Sequence, residues 1–396
     1  MSWAPVPAGS GFGPENLPYG VVMPRGSSSP RCAVRIGDSA LDLAALQAAG
    51  RLPAAPSFAT PVLNEFLAAP RAVWLEVREE LQALLAADPA PAELAALLPL
   101  AECDLAMPIA IGDYVDFYSS LEHATNLGRL FRPGSDPLLP NWRHLPVAYH
   151  GRSGTVVVSG TPVRRPRGQL PPEHDGGVPS FGPTARLDIE LELGFVAGGP
   201  PKPLGEPIAV EDAADHIFGV VLVNDWSARD IQRWEYQPLG PFLGKSFATS
   251  ISPWIVPIAA LEPHRVKGPA QDPPPLPYVA AREPWNFDIA LEIELNGAVV
   301  SQTNARDLYW SAAQQLAHAS SGGAPIRPGD LHATGTISGP EPDQCGSLLE
   351  MSGGRGFLDD GDSVVLRGQA GGAGGPLVSL GEVAGRVEPA PSISPS

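Results

Sequence analysis

Cysteine is scarce in this chain, which has only Cys32, Cys103 and Cys345 among its 396 residues. Three thiols so far apart argue against a disulfide framework and against a cysteine-based zinc site. They are typical of a protein in a reducing compartment, so we predict a cytoplasmic location. No apolar run approaches the ~18 residues of a membrane span, and residues 1–5 do not begin a secretory signal. We therefore predict no association with a membrane.

Basic side chains are also few, with 26 lysines and arginines against 43 acidic residues and a net charge of −17. A protein that binds DNA or RNA needs a basic surface. The only basic cluster is at residues 164–167, where a solvated loop is the simplest interpretation. We predict that the chain binds no nucleic acid.

Glycine and proline are abundant, at 43 and 47 residues, and they separate short apolar segments. Up to about residue 98 several segments have helical spacing, and after residue 108 short alternating runs dominate. This pattern predicts a mainly β (α+β) protein with an N-terminal domain at residues 1–107 and a C-terminal domain at residues 108–396. Asn296-Gly297 between two alternating runs predicts a β-hairpin.

Residues 113–132 combine four chemically useful side chains: Asp116, Tyr118, His123 and Arg132. Asp116 and Tyr118 project from the same face if the backbone is extended. His123 is then a candidate base beside a metal ion held by Asp116, and Arg132 a candidate partner for an anionic substrate group. The alternative is that Asp116 caps a turn and His123 is an ordinary hydrogen-bonded histidine.

Two further segments supply carboxylates. Residues 187–193 alternate strictly, which puts Asp188, Glu190 and Glu192 on one face of a strand. Such a face is either solvated or holds a cation, and we predict that the similar face at residues 288–294 is solvated. Asp225 follows a buried apolar run, where it either binds a cation or caps the next segment.

Asp116, Glu190, Glu192 and Asp225 form an all-oxygen set, which suits hard cations such as Ca²⁺ or Mg²⁺ better than zinc. Lys245 is a candidate for balancing part of their charge, although an exposed lysine is the alternative. The segment around Lys245 does not have the spacing of a Walker loop.

Several motifs resemble one family. They are Asn-Leu-Pro-Tyr-Gly-Val (residues 16–21), Asp-Tyr-x-Asp-Phe-Tyr-Ser-Ser-x-x-His-Ala-Thr-Asn (113–126), Leu-Pro-Asn-Trp-x-x-Leu-Pro-x-x-Tyr-His-Gly-Arg (139–152), Leu-Asp-x-Glu-Leu-Glu (187–192), Asn-Asp-Trp-Ser-Ala-Arg-Asp-Ile-Gln (224–232) and Gly-Thr-Ile-Ser-Gly-Pro (335–340). Together they resemble the fumarylacetoacetase family, within the fumarylacetoacetate hydrolase superfamily. The resemblance runs in order from about residue 15 to about residue 380.

The resemblance implies a small SH3-like barrel with helices, followed by a β-sandwich roll that carries the catalytic site. It also implies a homodimer that hydrolyses a carbon–carbon bond of 4-fumarylacetoacetate, a β-diketo acid, to give fumarate and acetoacetate. This reaction is the last step of tyrosine and phenylalanine catabolism. The expected cofactors are Ca²⁺ and Mg²⁺, with Mn²⁺ as a candidate replacement for either.

Roles for individual residues follow from motif position. The resemblance implies calcium ligands at Asp116, Glu190, Glu192 and Asp225, and a magnesium site at Asp225, Lys245 and Thr249. It implies His123 as the base, Glu350 as the acid that orients it, and Lys245 and Gln232 as further catalytic groups. It implies substrate binding by Tyr118, Arg132, Tyr149, Gln232, Tyr236 and Thr336.

Two alternatives stay open from the sequence. The chain could be a related superfamily enzyme, such as an acylpyruvate hydrolase or a decarboxylase. It could also be a metal-stabilised binding or structural β protein without activity. Turnover of fumarylacetoacetate, compared with that of acylpyruvates, separates these hypotheses.

Overall fold

A computed structural model describes residues 2–174, 176–372 and 375–392. The strands before residue 107 are β1 (Tyr19–Pro24), β2 (Arg31–Ile36), β3 (Ser39–Asp42), β4 (Leu97–Pro99) and β5 (Cys103–Ala106). The helices there are α1 (Leu43–Ala48), α2 (Asn64–Leu67), α3 (Arg71–Ala86) and α4 (Pro91–Ala96). This part of the chain therefore combines strands with four helices.

Local sequence explains where these helices begin. Asp42 caps α1 by accepting a hydrogen bond from the Ala45 N–H at 2.9 Å. Thr60 and Pro61 resemble a helix start, but the Thr60 hydroxyl donates to the Val62 carbonyl and α2 begins only at Asn64. The apolar stripe of α3 is buried, as its helical spacing predicts.

The remaining chain is mostly sheet. Its strands are β6 (Tyr114–Phe117), β7 (Ala148–His150), β8 (Val156–Val158), β9 (Val163–Arg164), β10 (Arg167–Leu170), β11 (Ser180–Pro183), β12 (Leu187–Asp188), β13 (Leu191–Ala197), β14 (Ile217–Asp225), β15 (Ser227–Ala228), β16 (Thr249–Ile251), β17 (Trp254–Pro257), β18 (Arg265–Lys267), β19 (Trp285–Phe287), β20 (Ile289–Leu295), β21 (Ala298–Asn304), β22 (Leu331–Ala333), β23 (Ser363–Ala370) and β24 (Val378–Glu388). Its helices are α5 (Leu121–Phe131), α6 (Arg229–Glu235), α7 (Ile258–Leu261), α8 (Ala312–Ser320) and α9 (Leu348–Met351). The prediction of a mixed, mostly β protein is confirmed.

One 13-stranded sheet runs through both halves of the chain. Its main path is β4-β3-β2-β1-β17-β14-β13-β22-β6-β7, with β5 beside β1, and with β16 joining β14 to β8. The halves meet where β1 pairs with β17, with Tyr19 opposite Ile255 and Gly20 opposite Trp254. The sheet therefore crosses the expected boundary at residue 107, and the division into two domains stays a prediction.

A second sheet has the order β21-β20-β23-β24-β9. Apolar side chains from this sheet, such as Leu291 and Leu366, share a buried core with Val220 and Leu222 of β14. The predicted hairpin at Asn296-Gly297 is confirmed, because β20 and β21 flank it and both turn residues have positive φ.

Strand pairing among the described residues follows open paths and closes no barrel. The SH3-like barrel and the β-sandwich roll are therefore not confirmed. In the described ranges, no helix combines the length and the apolar character needed to cross a lipid bilayer.

Candidate active site

Four strands of the large sheet bring distant acidic residues together. β13 carries Glu192 and lies between β14 and β22. β14 ends at Asp225. β22 pairs in turn with β6, where Ala333 lies opposite Asp116. Glu190 directly precedes β13 and forms an isolated bridge with Ser347. Residues more than 100 positions apart in the chain therefore reach one place on the sheet.

The four carboxylates that the sequence singled out lie together. Asp116, Glu190, Glu192 and Asp225 each offer an oxygen atom, and these atoms lie within 4.8 Å of one another. All four side chains are buried, and Asp188 on the same run is 0% exposed. The alternative of a solvated face at residues 187–193 is therefore wrong.

Several of these oxygen atoms have no hydrogen-bond partner among the described residues. They are Asp116 Oδ1 and both Glu192 oxygens, and each is buried. Burial, and then the neighbouring Asp225, raises the pKa of Asp116 well above its ordinary value. Burial, and then Asp116, does the same for Glu192. Orphaned carboxylate oxygens that repel one another fit a bound hard cation, which would supply both a partner and the opposing charge.

Two basic side chains already compensate part of this charge. Lys245 Nζ donates to Asp225 Oδ2 at 2.6 Å and also to Glu190. Arg229 Nη2 donates to Glu190 Oε1 at 2.8 Å. Burial would raise the pKa of Glu190, but Arg229 and then Lys245 hold it below its ordinary value. Because Arg229 also binds Asp188, two cations lie beside five carboxylates and leave a formal deficit of three positive charges, of which one divalent ion would supply two.

His123 stands beside this cluster on the first turn of α5. Ser120 caps the helix by accepting a hydrogen bond from the His123 N–H at 3.2 Å. The ring Nδ1 lies 2.7 Å from Glu350 Oε2, and the ring Nε2 lies 4.0 Å from Glu190 Oε1. The imidazole therefore joins Glu350 on one side to the carboxylate cluster on the other.

Glu350 is itself held by a polar network. Asn126 Nδ2 donates to Oε1 at 3.0 Å, Ser338 Oγ donates to Oε1 at 2.9 Å, and Ser347 Oγ donates to Oε2 at 2.8 Å. Burial would raise the pKa of Glu350, but His123 and these donors lower it to about 2. An ionised Glu350 favours the imidazole tautomer with the proton on Nδ1, which leaves Nε2 free to accept a proton.

Three of the residues expected to bind substrate contact this arrangement. The Tyr118 ring packs edge-on against His123 at 5.3 Å between centroids. Tyr149 OH donates to Asp225 Oδ2 at 2.7 Å. Gln232 Oε1 accepts from Arg229 Nη1 at 3.3 Å.

The other three residues expected to bind substrate are Thr336, Arg132 and Tyr236. Thr336 is buried. Arg132 donates to the Pro137 carbonyl at 2.6 Å, and Tyr236 is exposed with its hydroxyl near Gln237. Arg132 and Tyr236 make no described hydrogen bond to the carboxylate cluster.

The expected magnesium residues lie at one edge of the cluster. The Thr249 hydroxyl donates to Asp225 Oδ1 at 3.2 Å, and these two residues face each other across the β14–β16 pair. Lys245 is buried, so the alternative of an exposed lysine is wrong. Because its ammonium group is a donor, Lys245 has only its backbone carbonyl to offer a metal ion.

A cavity of about 350 Å³ adjoins this region, and its wall includes Tyr149 and Lys245, both of which bond to Asp225. A second cavity, of about 370 Å³, is lined by Val115 and Phe117. Because Val115 and Phe117 alternate with Asp116 along β6, this second cavity lies on the opposite face of the strand from the carboxylates. Among the described residues, Lys245 lines only the first cavity, and none of the four carboxylates lines either one.

Sequence reasoning missed two residues that organise the site, Asp188 and Arg229. The sequence pattern places Asp188 on the acidic face without indicating a role for it, and in the structure it accepts a hydrogen bond from Arg229 Nε at 2.7 Å. Arg229 belongs to the motif that contains Asp225, four positions further along. A buried acidic strand face near such a motif was the available signal, because buried carboxylates need cationic partners.

Comparison with known proteins gives matches over nearly the whole chain. A family model described as "Fumarylacetoacetase N-terminal" matches residues 15–108, and one described as "Fumarylacetoacetate (FAA) hydrolase C-terminal" matches residues 114–388. The fumarylacetoacetase of Homo sapiens is 48% identical over 418 residues, covering 98% of this chain and 99% of that protein. The fumarylacetoacetase of Arabidopsis thaliana is 47% identical, with the same coverage.

Among solved structures, a fumarylacetoacetate hydrolase from psychrophilic Exiguobacterium antarcticum has a similar fold. It matches with a TM-score of 0.58 at 17% identity, covering 94% of this chain and 99% of that one. At this identity the structural likeness supports a shared fold alone.

Proposed function

The chain belongs to the fumarylacetoacetate hydrolase family, and from this premise we propose that it hydrolyses 4-fumarylacetoacetate to fumarate and acetoacetate. This reaction would be the last step of tyrosine and phenylalanine breakdown. One observation carries the proposal: His123, paired with Glu350, lies 4.0 Å from a carboxylate of the buried acidic cluster. A base beside a hard-cation site is the arrangement that metal-assisted hydrolysis needs.

Asp116, Glu190, Glu192 and Asp225 would hold a divalent cation, and Ca²⁺ is the ion we propose there. When bound, that cation would polarise the diketone oxygens and stabilise negative charge on them. We propose Mg²⁺ beside Asp225, Thr249 and the backbone carbonyl of Lys245, with Mn²⁺ as a candidate replacement for either ion. The unpaired oxygens of Asp116 and Glu192 support an oxygen-binding cation.

The protein side chains would move the proton. His123 Nε2 accepts a proton from water, whose oxygen attacks the carbonyl carbon of the fumaroyl group. Glu350 holds the Nδ1 proton and stabilises the imidazolium that forms. The bond from that carbonyl carbon to the neighbouring methylene carbon then breaks, and its electron pair leaves with acetoacetate as an enolate. The proton on His123 finally returns to the methylene carbon, so that atoms and charge balance.

Other side chains would bind and orient the substrate. We propose that Arg132 and Tyr118 hold its carboxylate and that Tyr149, Tyr236 and Thr336 line the pocket. Lys245 and Gln232 would donate hydrogen bonds where negative charge develops, and one such donor is typically worth about 3 kcal/mol. The contacts of Tyr149 and Lys245 with Asp225 beside the 350 Å³ cavity support this assignment.

The test follows the ultraviolet absorbance of the diketone after pure protein is added. We expect absorbance to fall with fumarylacetoacetate, to stop falling with a chelator, and to resume when Ca²⁺ or Mg²⁺ is restored. Faster turnover of an acylpyruvate would instead support a related enzyme of the superfamily. No turnover of any 1,3-diketone would support the inactive binding protein.

We also propose that the protein is a cytoplasmic homodimer, with an SH3-like domain at residues 1–107 and a catalytic β-roll at residues 108–396. Exposed apolar side chains near the end of α6, including Leu239 and Phe242, support a surface that another chain covers. Light scattering after size exclusion would give a mass of twice 41.4 kDa if the dimer forms, and of 41.4 kDa if it does not.

A further inference from the structure

Asp188 is a carboxylate near the site with hydrogen bonds to both of its oxygens, and the proposed chemistry does not use it. It is 0% exposed and lies two residues before Glu190, at the end of β12. Its Oδ2 accepts from Arg229 Nε at 2.7 Å, and its Oδ1 accepts from the Ile189 N–H at 2.8 Å. A buried carboxylate with this many donors is firmly fixed in position.

The same carboxylate also binds the first turn of α9. The Leu348 N–H donates to Oδ1 at 2.9 Å, and the Leu349 N–H donates to Oδ2 at 3.3 Å. Backbone N–H groups in the first turn of a helix have no partner within the helix, and Asp188 supplies one for these two. Glu350 is the next residue of α9. Asp188 therefore fixes the turn from which Glu350 reaches His123.

Arg229 extends this connection to the other side of the imidazole. One of its nitrogens binds Asp188, and another binds Glu190 Oε1, the atom that lies 4.0 Å from His123 Nε2. The planar guanidinium sets the spacing between the two carboxylates, which a lysine could not do. Asp188 thus connects to both neighbours of His123, namely Glu350 through α9 and Glu190 through Arg229.

We propose that Asp188 is a positioning residue that sets the orientation of the His123–Glu350 pair relative to Glu190. It touches neither substrate nor metal in this role, and it acts through α9 and Arg229. The inference rests on the proposed function for its kinetic consequence, but its geometric consequence can be observed without any substrate.

The first test replaces Asp188 with asparagine, which keeps the shape and removes the charge. Loss of a group that orients catalytic side chains typically costs about 10- to 100-fold. We expect kcat to fall by about that factor while KM changes less than about threefold. In a Glu350→Gln background the same substitution should cost much less, because Asp188 would act through a group already lost.

A matched control is Asp330→Asn. Asp330 is also buried, accepts the Asp113 and Arg327 N–H groups at 2.8 Å each, and lies near the Arg327 side chain. It has no described contact with Glu350 or Glu190. We expect its substitution to lower the unfolding temperature while changing kcat by less than about twofold.

The second test needs no activity. The proton between His123 Nδ1 and Glu350 should give a downfield proton NMR signal that is absent in His123→Gln. In the full-length protein with added Ca²⁺, Asp188→Asn should shift or broaden that signal, and Asp330→Asn should not. If no diketone is hydrolysed but the signal still responds, the proposed function fails and the positioning role stands.

Other outcomes would overturn the inference. An unchanged signal in Asp188→Asn, equal kinetic losses in both aspartate variants, or the same loss with and without Glu350 would each contradict it. Asp188→Ser, which leaves room for water beside Arg229, serves if the asparagine variant does not fold. If neither variant folds, Asp188 is a structural residue and the positioning role is wrong.

Discussion

Two strand regions with nearly the same pattern have opposite environments. Residues 187–192 and residues 288–294 both alternate acidic and apolar side chains. In the first, Glu192 is 0% exposed, and its side chain has no hydrogen-bond partner in the part of the chain that the structure describes. In the second, the Glu292 side chain is 28% exposed and pairs with Arg367 at 3.5 Å. Alternation therefore shows which side chains share a face, and the surrounding strands decide whether that face meets water or a cation.

The largest expected difference between these regions is in turnover. Glu192→Gln removes a buried ligand oxygen from the proposed ion site, so we expect hydrolysis to fall to the uncatalysed background at low Ca²⁺. Glu292→Gln should change the rate by less than about twofold. Diketone absorbance and calorimetric titration with Ca²⁺ measure both effects. Equal rates for the two variants would remove the functional distinction between the faces.

The next expected effect separates the base from the ion site within the buried region. His123→Ala removes the proposed proton acceptor and should lower kcat by about 10²- to 10⁴-fold. Ca²⁺ affinity should change only a fewfold, since His123 is not one of the four carboxylates. Substitution of the half-buried His318 by alanine is the control. Near-normal turnover in His123→Ala would contradict the base assignment.

Stability should also differ between the two regions. Arg229→Met leaves the buried Asp188 and Glu190 without their shared cation, and breaking such a pair typically costs about 3–5 kcal/mol. Arg367→Met breaks a half-exposed pair, for which about 1 kcal/mol or less is typical. Urea unfolding of both variants measures the two changes. Similar losses would mean that the buried ion pairs contribute no more than the surface ones.

A smaller effect concerns His332 on β22, beside the acidic strand β13. Burial lowers the pKa of His332 from 6.5 to about 4 in the folded protein. Below pH 6.5 the unfolded chain binds the proton more readily, so stability should fall as the pH drops from 6.5 towards 4. This shift in the pKa of His332 corresponds to a change of about 3 kcal/mol at most in the free energy of unfolding.

His332→Gln should flatten that dependence, and substitution of the exposed His144 by glutamine should leave it unchanged. Urea unfolding at pH 7 and at pH 4.5 makes the comparison. If the free energy of unfolding changes equally with pH in wild-type protein and in His332→Gln, His332 does not contribute to the pH dependence of stability.

The sequence predicted much of the site because its chemistry is carried by residue types. Asp116, Glu190, Glu192 and Asp225 are acidic residues in strand-like segments, and they do meet at one point. Individual strands and the hairpin at residues 296–297 were predictable for a different reason, because they depend on the local sequence pattern.

What could not be predicted depends on long-range pairing. The bonds from Asp188 to Leu348 and Leu349 span about 160 positions, and no local pattern indicates them. The sheet that joins β1 to β17 is equally non-local, and the expected boundary at residue 107 did not anticipate it.

That pairing has a consequence for the growing polypeptide on the ribosome. Tyr19 emerges 236 residues before Ile255, its neighbour in the finished sheet. At a synthesis rate of about 5–20 residues per second, this edge of β1 stays unpaired for roughly 10 to 50 seconds before β17 is made. An unpaired edge is a template for pairing with other chains. Slow synthesis should therefore increase the time during which nascent copies can associate wrongly.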